Sequence, residues 1–204
     1  LAAVKKFVYD DKLITMDELI TACRTNYEGR ETLRQQLINW APKFGNDDPY
    51  VDDIAVRLLD DVICHMTKRN EEECDNLVKF YPIIGTFERA GEFGAMTGAT
   101  PDGRKAEEAV CNNYSPSTGV DLNGPTAAIK SITKPDLRPY FAGCPMDMHI
   151  NPNETEGDIG IQKLINLIKS YQDLGGNMLT ITGVSTETLI DAKAHPENHR
   201  GLRV

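Results

Sequence analysis

Asp191-Ala-Lys-Ala-His-Pro-Glu-Asn-His-Arg-Gly-Leu-Arg-Val204 reads as a helix end, a proline break and the opening of a strand. Working outward, Ser185 is placed to cap the helix that runs through Ala194. Before it, Met178-Leu-Thr-Ile-Thr182 alternates with period 2, as a half-buried strand does. A helix is predicted from Thr155 to Leu174, with Ile161, Leu164, Ile165, Ile168 and Tyr171 inward and Gly175-Gly176 as its stop. Met146-Asp-Met-His-Ile150 is another period-2 strand: the methionines and Ile150 face one way, Asp147 and His149 the other, and Pro152 ends it. Strand–helix–strand–helix–strand order predicts an α/β fold with helices covering a sheet or barrel.

The first eighty residues carry helical signals. Thr15-Met-Asp-Glu18 fits a capping box, with Leu19, Ile20 and Cys23 following on one face. A second helix is expected from Glu31, with Leu33, Leu37, Ile38 and Ala41 inward, until Pro42 ends it. A third has Asp48 as its cap, Pro49 at its first position and Asp52 and Asp53 at the positive end of its dipole. Its stripe is Val51, Ile54, Ala55, Leu58, Leu59, Val62, Ile63 and Met66, which reads as core. From Tyr81 to Lys105 glycine is frequent and helical periodicity is lost. A strand is expected over Ile83 to Arg89, continuing over Phe93 to Thr97, before a Pro101-Asp-Gly103 turn from which Arg104 and Lys105 project. Asn112 to Pro125 is turn-rich, and Gly124-Pro-Thr-Ala-Ala-Ile-Lys-Ser131 opens a helix with Pro125 in its first turn.

Of 204 residues, 22 are basic and 31 acidic, a balance of −9 that argues against a polyanionic partner such as nucleic acid. No apolar run reaches the roughly 18–20 residues that span a bilayer, so no membrane association is expected. Both ends read as cut edges rather than natural termini. Five cysteines without zinc-type spacing point to reduced, mostly buried thiols in a cytoplasmic setting, and none is assigned a catalytic role. Gly91-Glu-Phe-Gly94 lacks the spacing of a phosphate loop. His195 and His199 are separated by the helix-breaking Pro196, so no metal site is assigned. His149 reads as a hydrogen-bonded structural histidine, with a substrate-facing role as the alternative, and His65 as a surface or satisfied core residue.

Taken in order, Lys43-Phe-Gly-Asn-Asp47, Ala99-Thr-Pro-Asp-Gly-Arg104, Ser115-Pro116, Gly124-Pro-Thr-Ala127, Leu174-Gly-Gly176 and Leu189-Ile-Asp-Ala192 before His195-Pro-Glu197 resemble the glycyl radical enzymes, the pyruvate formate-lyase-like family. The resemblance implies a ten-stranded α/β barrel with surrounding helices. Residues 1–80 would form a helical segment outside the barrel, and residues 81–204 its late strands and covering helices. It implies a glycyl radical beyond Val204, installed by an S-adenosylmethionine-dependent iron–sulfur activase, and a catalytic cysteine that also lies outside this stretch. A small-molecule substrate, the radical-activating enzyme as partner and a homodimeric assembly are expected. Substrate contacts are expected from Ser115 and Pro116, in a loop that approaches the substrate in such enzymes, and from Met146, Met148, Thr180 and Thr182.

Two departures bear on the substrate. Met178-Leu-Thr-Ile-Thr182 stands where many relatives have His-Ile-Gln-Phe-Asn, and Cys144-Pro-Met-Asp147 where Thr-Leu-Leu-Asn is more usual. A site furnished by methionines favours an apolar or aromatic substrate, hence a C–C-cleaving lyase like an arylacetate or indoleacetate decarboxylase. A diol or amino-alcohol dehydratase or lyase is the rival reading. A non-catalytic piece serving folding or assembly is the alternative from another class.

Overall fold

The computed structural model describes residues 1–73, 78–87 and 89–199. The strand expected at Leu202-Arg-Val204 and the side chain of Cys74 lie outside these residues.

Helix α1 (Ala2–Val4) runs on into a π-helical turn over Lys5–Asp10. Helix α2 (Met16–Arg24) opens with the capping box in place: Glu18 N–H donates to Thr15 Oγ1 and Thr15 N–H to the Glu18 carboxylate. Helix α3 (Glu31–Trp40) ends just before Pro42. Together these elements bury Phe7, Leu19, Ala22, Tyr27, Leu37 and Ala41 in an N-terminal core. Ile20, expected inward, is exposed, because Ala22 and Leu19 define the buried face.

Helix α4 (Pro49–Glu72) is capped by Asp48, whose carboxylate accepts from Tyr50 N–H at 2.9 Å. Val51 and Leu59 of its stripe are buried, whereas Leu58 and Val62 are exposed. Leu59 belongs to a second core with Ala128, Ile129, Tyr140, Met146 and Tyr171 among its members, so residues 1–80 contribute to both cores.

The strand expected over residues 83–89 and 93–97 is not formed. Residues 81–86 have no strand partner; Ile84 N–H donates to the Gly143 carbonyl and the Thr86 carbonyl accepts from Arg89 N–H. The second half is helix α5 (Ala90–Ala95), whose Gly94 abuts the Glu108–Ala109 backbone so closely that a side chain there would overlap it. The Pro101–Gly103 turn does form, with Gly103 at φ +96° and its N–H bonded to the Thr100 carbonyl. Arg104 does not project: its guanidinium folds back onto the carbonyls of Gly98, Lys105 and Glu108.

Helix α6 (Gly124–Ile132) has Pro125 in its first turn. Strand β1 (Pro145–Ile150), helix α7 (Gly157–Asp173) and strand β2 (Met178–Gly183) form a β–α–β unit, and helix α8 (Thr186–Ala194) is capped by Ser185. The two strands are parallel, as the intervening crossover helix requires. They are the whole sheet among the described residues, the fraction of the expected ten strands that this chain displays. Gly176 is demanded by packing, since a Cβ would sit 2.3 Å from the Tyr171 ring. Ile161 and Ile165, expected inward on α7, are exposed, while Tyr171 and Leu167 meet the core. No described helix is long and apolar enough to cross a membrane.

Candidate functional site: two faces of a parallel strand pair

The register of β1 on β2 decides which side chains share a face. Asp147 lies opposite Thr180 and His149 opposite Thr182, while Met146 and Met148 lie opposite Leu179 and Ile181. Side chains opposite one another point the same way, so the sheet has one polar face and one apolar face. Helix α7 covers the apolar face, where Met146 and Met148 join Tyr171, Leu167 and Leu179 in the second core. The Tyr171 hydroxyl donates to the Met178 carbonyl at 2.7 Å and accepts from Met178 N–H, pinning the helix to the start of β2. Asn177 holds the strand entries together, donating to the carbonyls of Leu137 and Tyr140 and accepting from Cys144 N–H.

The six expected substrate residues are therefore not brought to one place. Ser115, Pro116, Met146 and Met148, together with Asp147 and His149, line a cavity of about 920 Å³ between β1, α6, α7 and the 115–121 loop. Thr180 and Thr182 stand across the sheet on the polar face. Pro116 packs its ring over Gly45, where φ is +100° and a Cβ would meet Pro116 Cγ at 2.4 Å. The Gly45-Asn46-Asp47 turn in turn stitches this loop to α6. Asn46 donates to the Val120 carbonyl at 2.7 Å, and Asp47 N–H donates to Ser131 Oγ at 2.8 Å.

The free edge of β1 is held by the loop that precedes α6. Tyr114 N–H donates to the Pro145 carbonyl, and Asp147 N–H donates to Ser115 Oγ at 2.8 Å. Asn113, in the left-handed region at φ +49°, gathers three segments with one side chain. Its Oδ1 accepts from Thr86 and Phe87 N–H at 3.0 and 2.9 Å, and its Nδ2 donates to Asp147 Oδ2 at 2.7 Å. Its own N–H donates to Thr86 Oγ1. Thr86 and Phe87 are thereby moored beside Asp147. Asp147 and Asn113 were missed as site residues; the alternation of residues 146–150 already put Asp147 on the same face as His149.

Electrostatics separate this face from the interior behind it. Burial pushes the Cys144 thiol up to about 11, and it raises Cys111 as well, so neither is a ready thiolate. Cys64, expected buried, is exposed on α4. Asp52 is wholly buried, and burial raises its carboxyl despite Lys134 at 3.3 Å. His199 Nε2 lies 2.6 Å from Asp191 Oδ2, a hydrogen-bond contact at the end of α8 rather than half of a histidine couple. Among the described residues no group of three or more His, Cys, Asp or Glu side chains converges as a metal site.

A family model described as pyruvate formate lyase-like matches residues 1–85, and one described as glycine radical matches residues 110–204. The chain belongs to the glycyl radical enzyme family. Isethionate sulfite-lyase of Nitratidesulfovibrio vulgaris is 38% identical to this glycyl radical enzyme chain over 209 residues, covering 100% of it and 24% of the relative. Indoleacetate decarboxylase of Tractidigestivibacter scatoligenes is 32% identical over 227 residues, covering 100% of the chain and 25% of the relative. Hydroxyproline dehydratase from Clostridioides difficile, solved with trans-4-hydroxy-L-proline bound, matches with a TM-score of 0.88 at 30% identity, over 98% of this chain and 25% of that one. The chain thus spans about a quarter of the length of the relatives it matches.

Proposed function

We propose that this chain supplies late strands and covering helices of a ten-stranded α/β barrel in a glycyl radical lyase that eliminates water from a small hydroxylated substrate. The observation that carries the reading is the division of the sheet. Where helices cover one face of parallel strands, closing the sheet into a barrel turns the opposite face inward. That opposite face is Asp147, His149, Thr180 and Thr182. A wall of hydrogen-bonding groups, one of them a carboxylate, suits a neutral polyol, an amino alcohol or a zwitterion. It suits an arylacetate less well, since like charges repel across a low-dielectric site. The decarboxylase reading draws its support from Met146 and Met148, which line the cavity beside β1 together with Asp147 and His149.

The glycyl radical would be carried outside the described residues, installed by an activase that uses S-adenosylmethionine and an iron–sulfur cluster. The residues in hand would bind and orient the substrate and keep water from it. The test uses the full-length protein, activated anaerobically. An electron paramagnetic resonance doublet from a glycine radical, with an aldehyde or ketone formed from a 1,2-diol or a cyclic imine formed from trans-4-hydroxy-L-proline, is expected. Carbon dioxide release from arylacetates, with no turnover of hydroxylated compounds, would restore the decarboxylase reading.

A further inference from the structure

Asp47, Asp52 and Asp147 are acids set against secondary structure, and two of them have cations. Asp47 pairs with Lys130 at 3.0 Å and Asp52 with Lys134 at 3.3 Å. Asp147, half-buried on the polar face, pairs with no cation among the described residues. One of its oxygens takes the Asn113 amide at 2.7 Å, and no hydrogen bond from the described residues reaches the other. The backbone of the same residue is fixed by Ser115 Oγ at 2.8 Å. Thr180 stands opposite it on β2, adding a hydroxyl to the same patch. A carboxylate gripped at its backbone and at one oxygen, with the other oxygen left available, is an oriented acceptor for a hydrogen-bond donor.

We infer that Asp147 is a specificity-determining residue that accepts a hydrogen bond from a hydroxyl or ammonium group of the substrate, and that Asn113 and Ser115 are positioning residues that aim it. The inference deepens the dehydratase reading and rests on it. Asn113 serves two ends at once: its carbonyl moors Thr86 and Phe87, so the carboxylate and residues 83–87 keep a fixed separation. Gly85 leaves room for that arrangement, because a Cβ there would lie 3.2 Å from Asn113 Oδ1. The same carboxylate disfavours a substrate whose sulfonate or carboxylate would approach it.

The test is calorimetric binding to the full-length protein before radical installation, with glycerol, trans-4-hydroxy-L-proline, isethionate and indoleacetate as probes. The wild-type protein is expected to bind glycerol or hydroxyproline in preference to the two anions. Asp147→Asn should weaken the preferred hydroxylated probe roughly ten- to hundredfold, the size of a lost charge-assisted hydrogen bond. The anions should bind no worse. Asn113→Asp should weaken that probe and lower the melting temperature, since two carboxylates then face one another. Combining Asn113→Asp with Asp147→Asn reverses the donor and acceptor, so the melting temperature should recover while the affinity does not. Unchanged probe selectivity in Asp147→Asn, or affinity recovering with stability in the double variant, would overturn the inference. A wild-type protein that binds only the anions would sink the dehydratase reading itself, a distinct result.

Discussion

The two faces of the β1–β2 pair share backbone, register and length, yet they do different work. On one, Met146, Met148 and Leu179 meet Tyr171 and Leu167 of α7, and the methionines are almost wholly buried. On the other, Asp147, His149, Thr180 and Thr182 are half-buried or exposed, and Asp147 is held by hydrogen bonds from a loop. Burial is concentrated on the first face, and ligand recognition is proposed for the second. A substitution should therefore move folding or binding according to the face it changes.

The largest effect on folding is expected from Met146→Ala, which empties a site in the second core. A loss of about 2–5 kcal/mol is expected in urea unfolding. A loss under about 1 kcal/mol would mean that the apolar face is not what holds the unit together. Tyr171→Phe removes the hydroxyl that both donates to and accepts from Met178, and should cost about 1–3 kcal/mol. Gly176→Ala drives a methyl into the Tyr171 ring and should cost a similar amount, about 1–3 kcal/mol, by the same assay.

Asp52, behind the apolar face, adds a dependence on pH. Burial raises its folded-state carboxyl above the unfolded value, so the folded protein holds this proton more tightly. Its contribution to stability is present at acid pH and is lost as pH rises through the raised folded value. Asp52→Asn should flatten that part of the pH–stability curve; an unchanged slope would mean that another group causes it. The smallest effect belongs to the polar face. Thr182→Val should alter stability by no more than about 0.5 kcal/mol, because the side chain is only half-buried. Ligand binding should nonetheless fall, and a stability loss as large as that of Met146→Ala would erase the distinction between the faces.

The sequence discloses what local interactions decide. Thr15 with Glu18, Asp48 with Pro49 and Ser185 with Thr188 are short-range caps, and each helix start expected from them is formed. The alternation of residues 146–150 likewise separates Asp147 and His149 from the methionines. Which face the helices cover depends on where α7 lands, and alternation alone does not carry that. Hence Met146 and Met148 were grouped with Thr180 and Thr182, although the sheet lies between them. The failed strand over residues 83–89 has the same origin. Its backbone groups turn to Asn113 and Gly143, which are 26 or more residues away. Arg104 reads as a projecting charge only until the neighbouring carbonyls are in place to receive it.

The most direct measurement is a crystal structure of the full-length protein with its preferred hydroxylated ligand. The account predicts ligand density on the Asp147–Thr180–Thr182 face, with a donor within hydrogen-bond distance of the Asp147 carboxylate. Density against Met146 and Met148 with no ligand donor near the Asp147 carboxylate would contradict the assignment of the two faces.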